Sequence, residues 1–211
     1  MAHKNSSLKI LEIGAGTGGT TTHVMRPLLS SSDTNETQSM VSTRCSRYDF
    51  TDISPSFFKK AREDFQSYSS RMQYLVLDVE QNPTEQGFEL GSYDIVLAAN
   101  VFHATKNLDV ALKDVHTLLK PGGKLIMLEQ TGDFVRGGFA FGLLPGWWLS
   151  EDNYRSWGPT MTPEKWVNVL KGNGFSGTDF ILNDYDDEKK PRAQHYRIYS
   201  AAAGQKACGF A

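Results

Sequence analysis

Leu8-Lys9-Ile10-Leu11-Glu12-Ile13-Gly14-Ala15-Gly16-Thr17-Gly18-Gly19 reads as a short buried strand that stops at glycines, followed by a helix over Thr20 to Leu29. A glycine turn between a strand and a helix lets the chain bend tightly and lets a ligand approach backbone N–H groups closely. Gly14, Gly16 and Gly19 also satisfy the G-x-G-x-x-G dinucleotide pattern, so the turn alone indicates a nucleotide-like cofactor without saying which.

Outward from the turn, strands and helices alternate. Arg47 to Asp52 is a second strand. Ser54-Pro55 then opens a helix reaching about Tyr68, with Ser54 as its cap. Met72 to Leu77, Tyr93 to Ala99 and Lys124 to Glu129 are three more strands. A helix from about Asn107 to Leu119 and the turn Pro121-Gly122-Gly123 separate the last two. This spacing predicts an α/β fold with a mostly parallel sheet covered by helices on both faces. A further helix over Pro163 to Asn173 precedes strands near Thr178 to Leu182 and His195 to Ala201. The acidic stretch Asn183 to Glu188 between those two strands makes them a C-terminal hairpin and brings the sheet to seven strands. Ser30 to Arg44 is polar and reads as a surface loop.

Three carboxylates accompany the turn. Asp52 closes the second strand, where an acidic residue can accept ribose hydroxyls; it stands 36 residues beyond Gly16, and the polar loop accounts for that spacing. Asp78 closes the third strand, placed to accept from an adenine amino group. Glu12 is expected to face the positive end of the cofactor.

Composition restricts the partners. The 211 residues carry 22 basic and 24 acidic side chains, net −2, with no Lys/Arg-rich block to favour nucleic acid. No apolar run approaches the roughly 20 residues of a membrane span. The N-terminus lacks the apolar core of a signal peptide. Cys45 and Cys208 fit neither a disulfide framework nor a zinc site, so no metal is expected and a cytoplasmic setting is.

Further blocks follow in order: Tyr48-Asp49-Phe50-Thr51-Asp52-Ile53-Ser54, Asn100-Val101-Phe102-His103-Ala104-Thr105, Leu119-Lys120-Pro121-Gly122-Gly123 and Gly142-Leu143-Leu144-Pro145-Gly146-Trp147-Trp148. With the glycine turn they span about residues 8 to 200, and the sequence resembles the C-methyltransferase domain of fungal highly reducing polyketide synthases. The resemblance implies a Rossmann-like class I methyltransferase fold and S-adenosylmethionine as cofactor, with S-adenosylhomocysteine as product. It also implies methylation of the α-carbon of a β-ketoacyl thioester carried by an acyl carrier protein, beside the other polyketide synthase domains. Glu12, Gly14, Gly16, Gly18, Asp52, Asp78 and Asn100 are the implied cofactor-binding positions, and His103, assisted by Glu129, the implied general base.

The residues permit that base pair independently. His103 follows the fourth strand and Glu129 ends the fifth; in adjacent parallel strands both emerge at the carboxyl edge, where open α/β sheets bind ligands. A carboxylate on one ring nitrogen would fix the tautomer and raise the basicity of the other. His3, His23, His116 and His195 lack such a setting.

The chain reads as one domain, 1–211. Residues 8–132 form the cofactor half, 133–160 a glycine- and aromatic-rich segment on the substrate side, and 161–202 the last helix and hairpin. The aromatic segment is either core packing or the wall of an acyl channel, the latter favoured because it follows the strand bearing Glu129. Domains of the resembled family carry an additional N-terminal subdomain that helps cover the active site. A first strand at Leu8 leaves no room for one, so an excised core or a stand-alone relative with an open site is expected, ending in a loose tail from Ala201 to Ala211. A small-molecule O- or N-methyltransferase and a weakly catalytic or non-catalytic module are the alternatives. A nicotinamide-dependent reductase is disfavoured because no Tyr-x-x-x-Lys pair follows the fourth strand.

Overall fold

The computed structural model describes residues 7–29, 45–132, 135–156, 158–183 and 195–203. Seven strands form one sheet: β1 (Leu8–Ile13), β2 (Cys45–Asp52), β3 (Met72–Val76), β4 (Tyr93–Ala99), β5 (Leu119–Thr131), β6 (Phe180–Asn183) and β7 (His195–Ala202), in the order β3-β2-β1-β4-β5-β7-β6. The first five run parallel, and β7 turns back antiparallel against both β5 and β6. The helices are α1 (Gly19–Leu29), α2 (Phe58–Asp64), α3 (Leu108–Leu118), α4 (Val135–Phe141) and α5 (Pro163–Gly172).

Alternation along β1 sets two cores. Leu8 and Ile10 join Met25, Tyr48, Phe50, Phe58 and Phe65 on the face of α1 and α2. Leu11 and Ile13 join Leu112, Val115, Trp166 and Leu170 on the face of α3 and α5. A sheet apolar on both faces in this way is the expected state of parallel strands.

The expected seven-stranded sheet with its C-terminal hairpin is present, and differences concern boundaries. The expected helix from Ser54 to Tyr68 is broken into a 3-10 turn at Pro55–Phe57, α2, and a second turn at Gln66–Tyr68. Ser54 does not cap it; its Oγ lies 2.7 Å from that of Ser56. Asn107 does cap α3, accepting from the N–H groups of Asp109 and Val110. The Pro121-Gly122-Gly123 turn lies within a longer β5, where a five-residue step from Leu119 to Lys124 is set against the two-residue step from Tyr93 to Ile95 in β4. The aromatic segment holds α4 and a 3-10 turn at Pro145–Trp148 rather than an irregular loop alone. The expected loops at 30–44 and 184–188 and the tail beyond 203 lie outside the described residues, as do Phe134, Trp157 and Cys208.

One buried polar set ties β2 to β4. Asp49 is sealed from solvent and accepts from the Tyr93 hydroxyl at 2.6 Å and from Arg47 Nε at 2.6 Å. Removing the Tyr93 donor while keeping its ring strands one carboxylate oxygen in the core. Tyr93→Phe is therefore expected to lower stability by about 1–3 kcal/mol in urea denaturation, and no loss would show that water replaces the hydroxyl.

Candidate active site

All five parallel strands end on one edge, and residues at and just past the ends of β1 to β4 line a cleft of about 260 Å³ that includes Gly14, Asp52, Ile53, Asp78 and Asn100. Of the glycines in the turn, Gly14 reaches this cleft wall. Its φ is +61° and a Cβ there would stand 2.7 Å from Val101 Cγ2, so only glycine lets the turn pass under the β4 loop. Gly18, with φ +80°, packs against the Phe65 ring, 2.7 Å from where a Cβ would sit.

The turn's N–H groups differ from expectation. Those of Ala15, Gly16 and Gly18 are taken inside the protein, by Thr51 O (2.9 Å), Asp52 Oδ2 (2.9 Å) and Ala15 O (2.9 Å). They hold the turn's shape. Asp52, nearly buried, bridges the turn to the segment after β2, its Oδ1 accepting from Ser54 N at 2.9 Å. Each of its oxygens keeps a second lone pair at the cleft. Asp78 Oδ1 accepts from Glu80 N at 3.0 Å.

Glu12 is the clearest departure. It shares the parity of Leu8 and Ile10, so it points under α1 rather than toward the edge, and it is not part of the cleft wall. Its Oε2 accepts from Thr21 Oγ1 and from the Tyr48 hydroxyl, both at 2.5 Å. Burial, only partly offset by these hydrogen bonds, pushes its pKa up to about 7 from an ordinary 4.5.

The expected pair assembles. His103 sits in a 3-10 turn, Phe102–Ala104, anchored by Phe102 packing against Trp166. Its Nδ1 lies 3.0 Å from Oε2 of Glu129, whose other oxygen accepts from the N–H groups of Val101 (2.9 Å) and Phe102 (2.8 Å). Glu129 is fully buried and the His103 side chain 33% exposed. An ionised carboxylate only accepts, so Nδ1 carries the proton and Nε2 is left basic.

His103 lines a second, more apolar cavity of about 340 Å³, walled by Gln130 and, from the aromatic segment, Phe141, Leu144 and Trp147. Phe141 and Trp147 stack with centroids 6.2 Å apart. Asn100 and Ala104 line both cavities, so the two share a wall. Asn100 reaches that place with φ +57°, a left-handed conformation that asparagine tolerates better than most residues.

Gln130 and Arg155 went unread in the sequence. Gln130 follows Glu129 by one residue, so strand alternation sends its side chain to the opposite face of β5. Arg155 is a single arginine some 50 residues from the loop it contacts, with no local signal. Among the described residues no cluster of His, Cys, Asp and Glu is arranged to hold a metal, and no helix is long and apolar enough to cross a membrane.

Residues 11–125 match the methyltransferase-domain family. The chain belongs to that family. The highly reducing polyketide synthase NEC1 of Pyricularia oryzae is 48% identical over 188 residues, covering 89% of this chain and 6% of that protein. Among solved structures, the trans-methyltransferase CalH in complex with S-adenosylhomocysteine superposes with a TM-score of 0.84 at 41% identity, covering 97% of this chain and 53% of that one. The CMeT domain of the citrinin polyketide synthase gives 0.75 at 32% identity, covering 95% and 47%. The methyltransferase domain thus spans a small fraction of the curated relatives it matches and about half of the solved structures. Members of this family use S-adenosylmethionine, and the chain is an S-adenosylmethionine-dependent methyltransferase domain.

The buried Glu12 makes stability depend on pH. Its folded pKa lies above its unfolded one, so the stability it contributes is full below about pH 4.5 and is lost as pH rises through about 7. Glu12→Gln removes that titration. The variant should gain on the parent by up to roughly 3 kcal/mol between pH 4.5 and 8 in urea denaturation, whereas parallel pH profiles would place the titration elsewhere.

Proposed function

We propose that the domain methylates the α-carbon of a β-ketoacyl thioester, with His103 as general base and Glu129 as its orienting partner. The observation that carries this reading is a histidine, tied through Nδ1 to a buried carboxylate, in the wall of an apolar cavity that adjoins the carboxylate-lined cleft.

The cleft suits the cofactor. Asp52 and Asp78 supply acceptors for ribose hydroxyls and an adenine amino group, while Ile53, Leu77 and Val79 supply apolar contact for a purine ring. When bound, S-adenosylmethionine provides a methyl group on a positively charged sulfur, an electrophile that a carbon nucleophile accepts without further activation. Gly14 and Asn100 hold the wall between cofactor and acceptor.

The protein's own work is on the proton. An α-carbon between a ketone and a thioester carbonyl is acidic enough for a neutral imidazole, and His103 Nε2 is the base placed to take its proton. Glu129 keeps the proton on Nδ1 and faces the imidazolium that forms. The carboxamides of Asn100 and Gln130 line the same cavity and offer N–H donors to the developing enolate oxygen. Phe141, Leu144 and Trp147 give the acyl chain an apolar wall, which supports reading 133–160 as the substrate-side segment. The carrier of the thioester is an acyl carrier protein within a polyketide synthase, a reading supported by the synthases among the relatives.

Incubation with methyl-labelled S-adenosylmethionine and a β-ketoacyl pantetheine thioester should place label on the α-carbon. His103→Ala should cut the rate by about 100-fold or more, and Glu129→Gln by a smaller factor. Label on oxygen or nitrogen would sink the carbon assignment, and failure to bind the cofactor in calorimetry would indicate a non-catalytic module.

A further inference from the structure

Beyond its one 3-10 turn, the loop from Asn100 to Asn107 has no regular structure to hold it, yet it carries His103. Charged side chains from elsewhere satisfy its backbone. Glu129 takes the N–H groups at its start, and Glu80 Oε1 those of Lys106 (2.9 Å) and Asn107 (2.8 Å) at its end.

The carbonyls converge on a single side chain. Arg155 Nη1 donates to Phe102 O at 2.7 Å and His103 O at 3.3 Å, and Nη2 to Thr105 O at 2.8 Å and Lys106 O at 3.3 Å. Arg155 is 4% exposed, and its Nε and Nη2 also donate to Asp152 Oδ2 at 3.0 and 2.5 Å. Asp152 is itself fixed, accepting from the N–H groups of Leu108 and Tyr154 at 3.3 and 3.1 Å. The planar fork of a guanidinium spreads five donors in a fixed geometry over several carbonyls, whereas an ammonium offers three from a single point. Burying an ion pair costs desolvation, and well-packed apolar side chains of similar volume are often as stable, so filling space does not account for it.

We propose that Arg155, braced by Asp152, is a positioning residue for the base: by gripping the carbonyls of Phe102, His103, Thr105 and Lys106 it holds the His103 imidazole against Glu129. This rests on His103 being the base. The grip comes from the substrate side, since Glu151 N also donates to Lys106 O at 2.8 Å and Pro159, four residues on, lines the cavity that His103 faces. The wall around the acyl chain and the base are thereby one connected piece.

Arg155→Lys keeps the charge and loses the fork; Asp152→Asn keeps the fork and loses its brace. In the full chain, each should lower kcat with a β-ketoacyl pantetheine thioester at least tenfold while KM changes less than threefold. Two-bond ¹H–¹⁵N spectra of the His103 ring should change from the Nδ1–H tautomer alone to a mixture of both. The spectrum reads the geometry even without turnover, and Asp152→Asn carries the test if Arg155→Lys does not fold. Parental kcat and a parental ring spectrum in a folded variant would overturn the positioning role. Parental kcat in His103→Ala would instead overturn the base assignment, whatever Arg155 does.

Discussion

Glu129 is a carboxylate with no access to water in the middle of a sheet, and the fold around it answers that constraint. An unpaired charge there would be prohibitively costly, so donors must come to it. Three do: the Val101 and Phe102 N–H groups on one oxygen and the His103 ring on the other. Bringing two consecutive amides to face β5 requires the chain to turn sharply as it leaves β4, which Asn100 accomplishes in its left-handed conformation. The strain at Asn100, the single 3-10 turn and the orientation of the imidazole are therefore consequences of one buried charge.

The same turn separates two chemically unlike spaces. On one side carboxylates and a glycine bend make a polar cleft; on the other, side chains from the aromatic segment make an apolar one. A methyl transfer to carbon needs both, a charged donor held beside an uncharged acceptor, with the dividing wall thin enough for the two to meet. Gly14 keeps it thin, because its missing Cβ leaves Val101 room to lie directly over the turn.

How much of this was legible depends on how local each cause is. β1 and β4 begin and end where the apolar runs do, because parallel strands buried on both faces announce themselves residue by residue. That His103 and Glu129 lie side by side was legible because both stand near strand ends on one edge, whereas the roles of base and partner came from the resemblance alone. Glu12 was misplaced for want of parity: it precedes the glycines, but its side chain belongs to the α1 face. The internal bonding of the turn's N–H groups left no local signal for Ala15 and Gly16, because their acceptors, Thr51 and Asp52, arrive from another strand. Helix α4 was missed because glycine and phenylalanine are poor helix formers, so its formation owes little to propensity. Arg155 left no trace, since it bonds mostly to backbone carbonyls, which every residue has.

Strand β5 is paired on both sides, parallel to β4 and antiparallel to β7, over the stretch from Lys124 to Leu128. Its neighbours thus clamp its register, and the register decides which of two adjacent side chains is sealed in the core and which faces the cavity. A slip of one residue in one direction would set Gln130 behind the imidazole, and in the other would bring Glu129 to the cavity wall and leave Leu128 behind the ring. Within β5, a single inserted or deleted residue ahead of Glu129 would take the carboxylate away from His103.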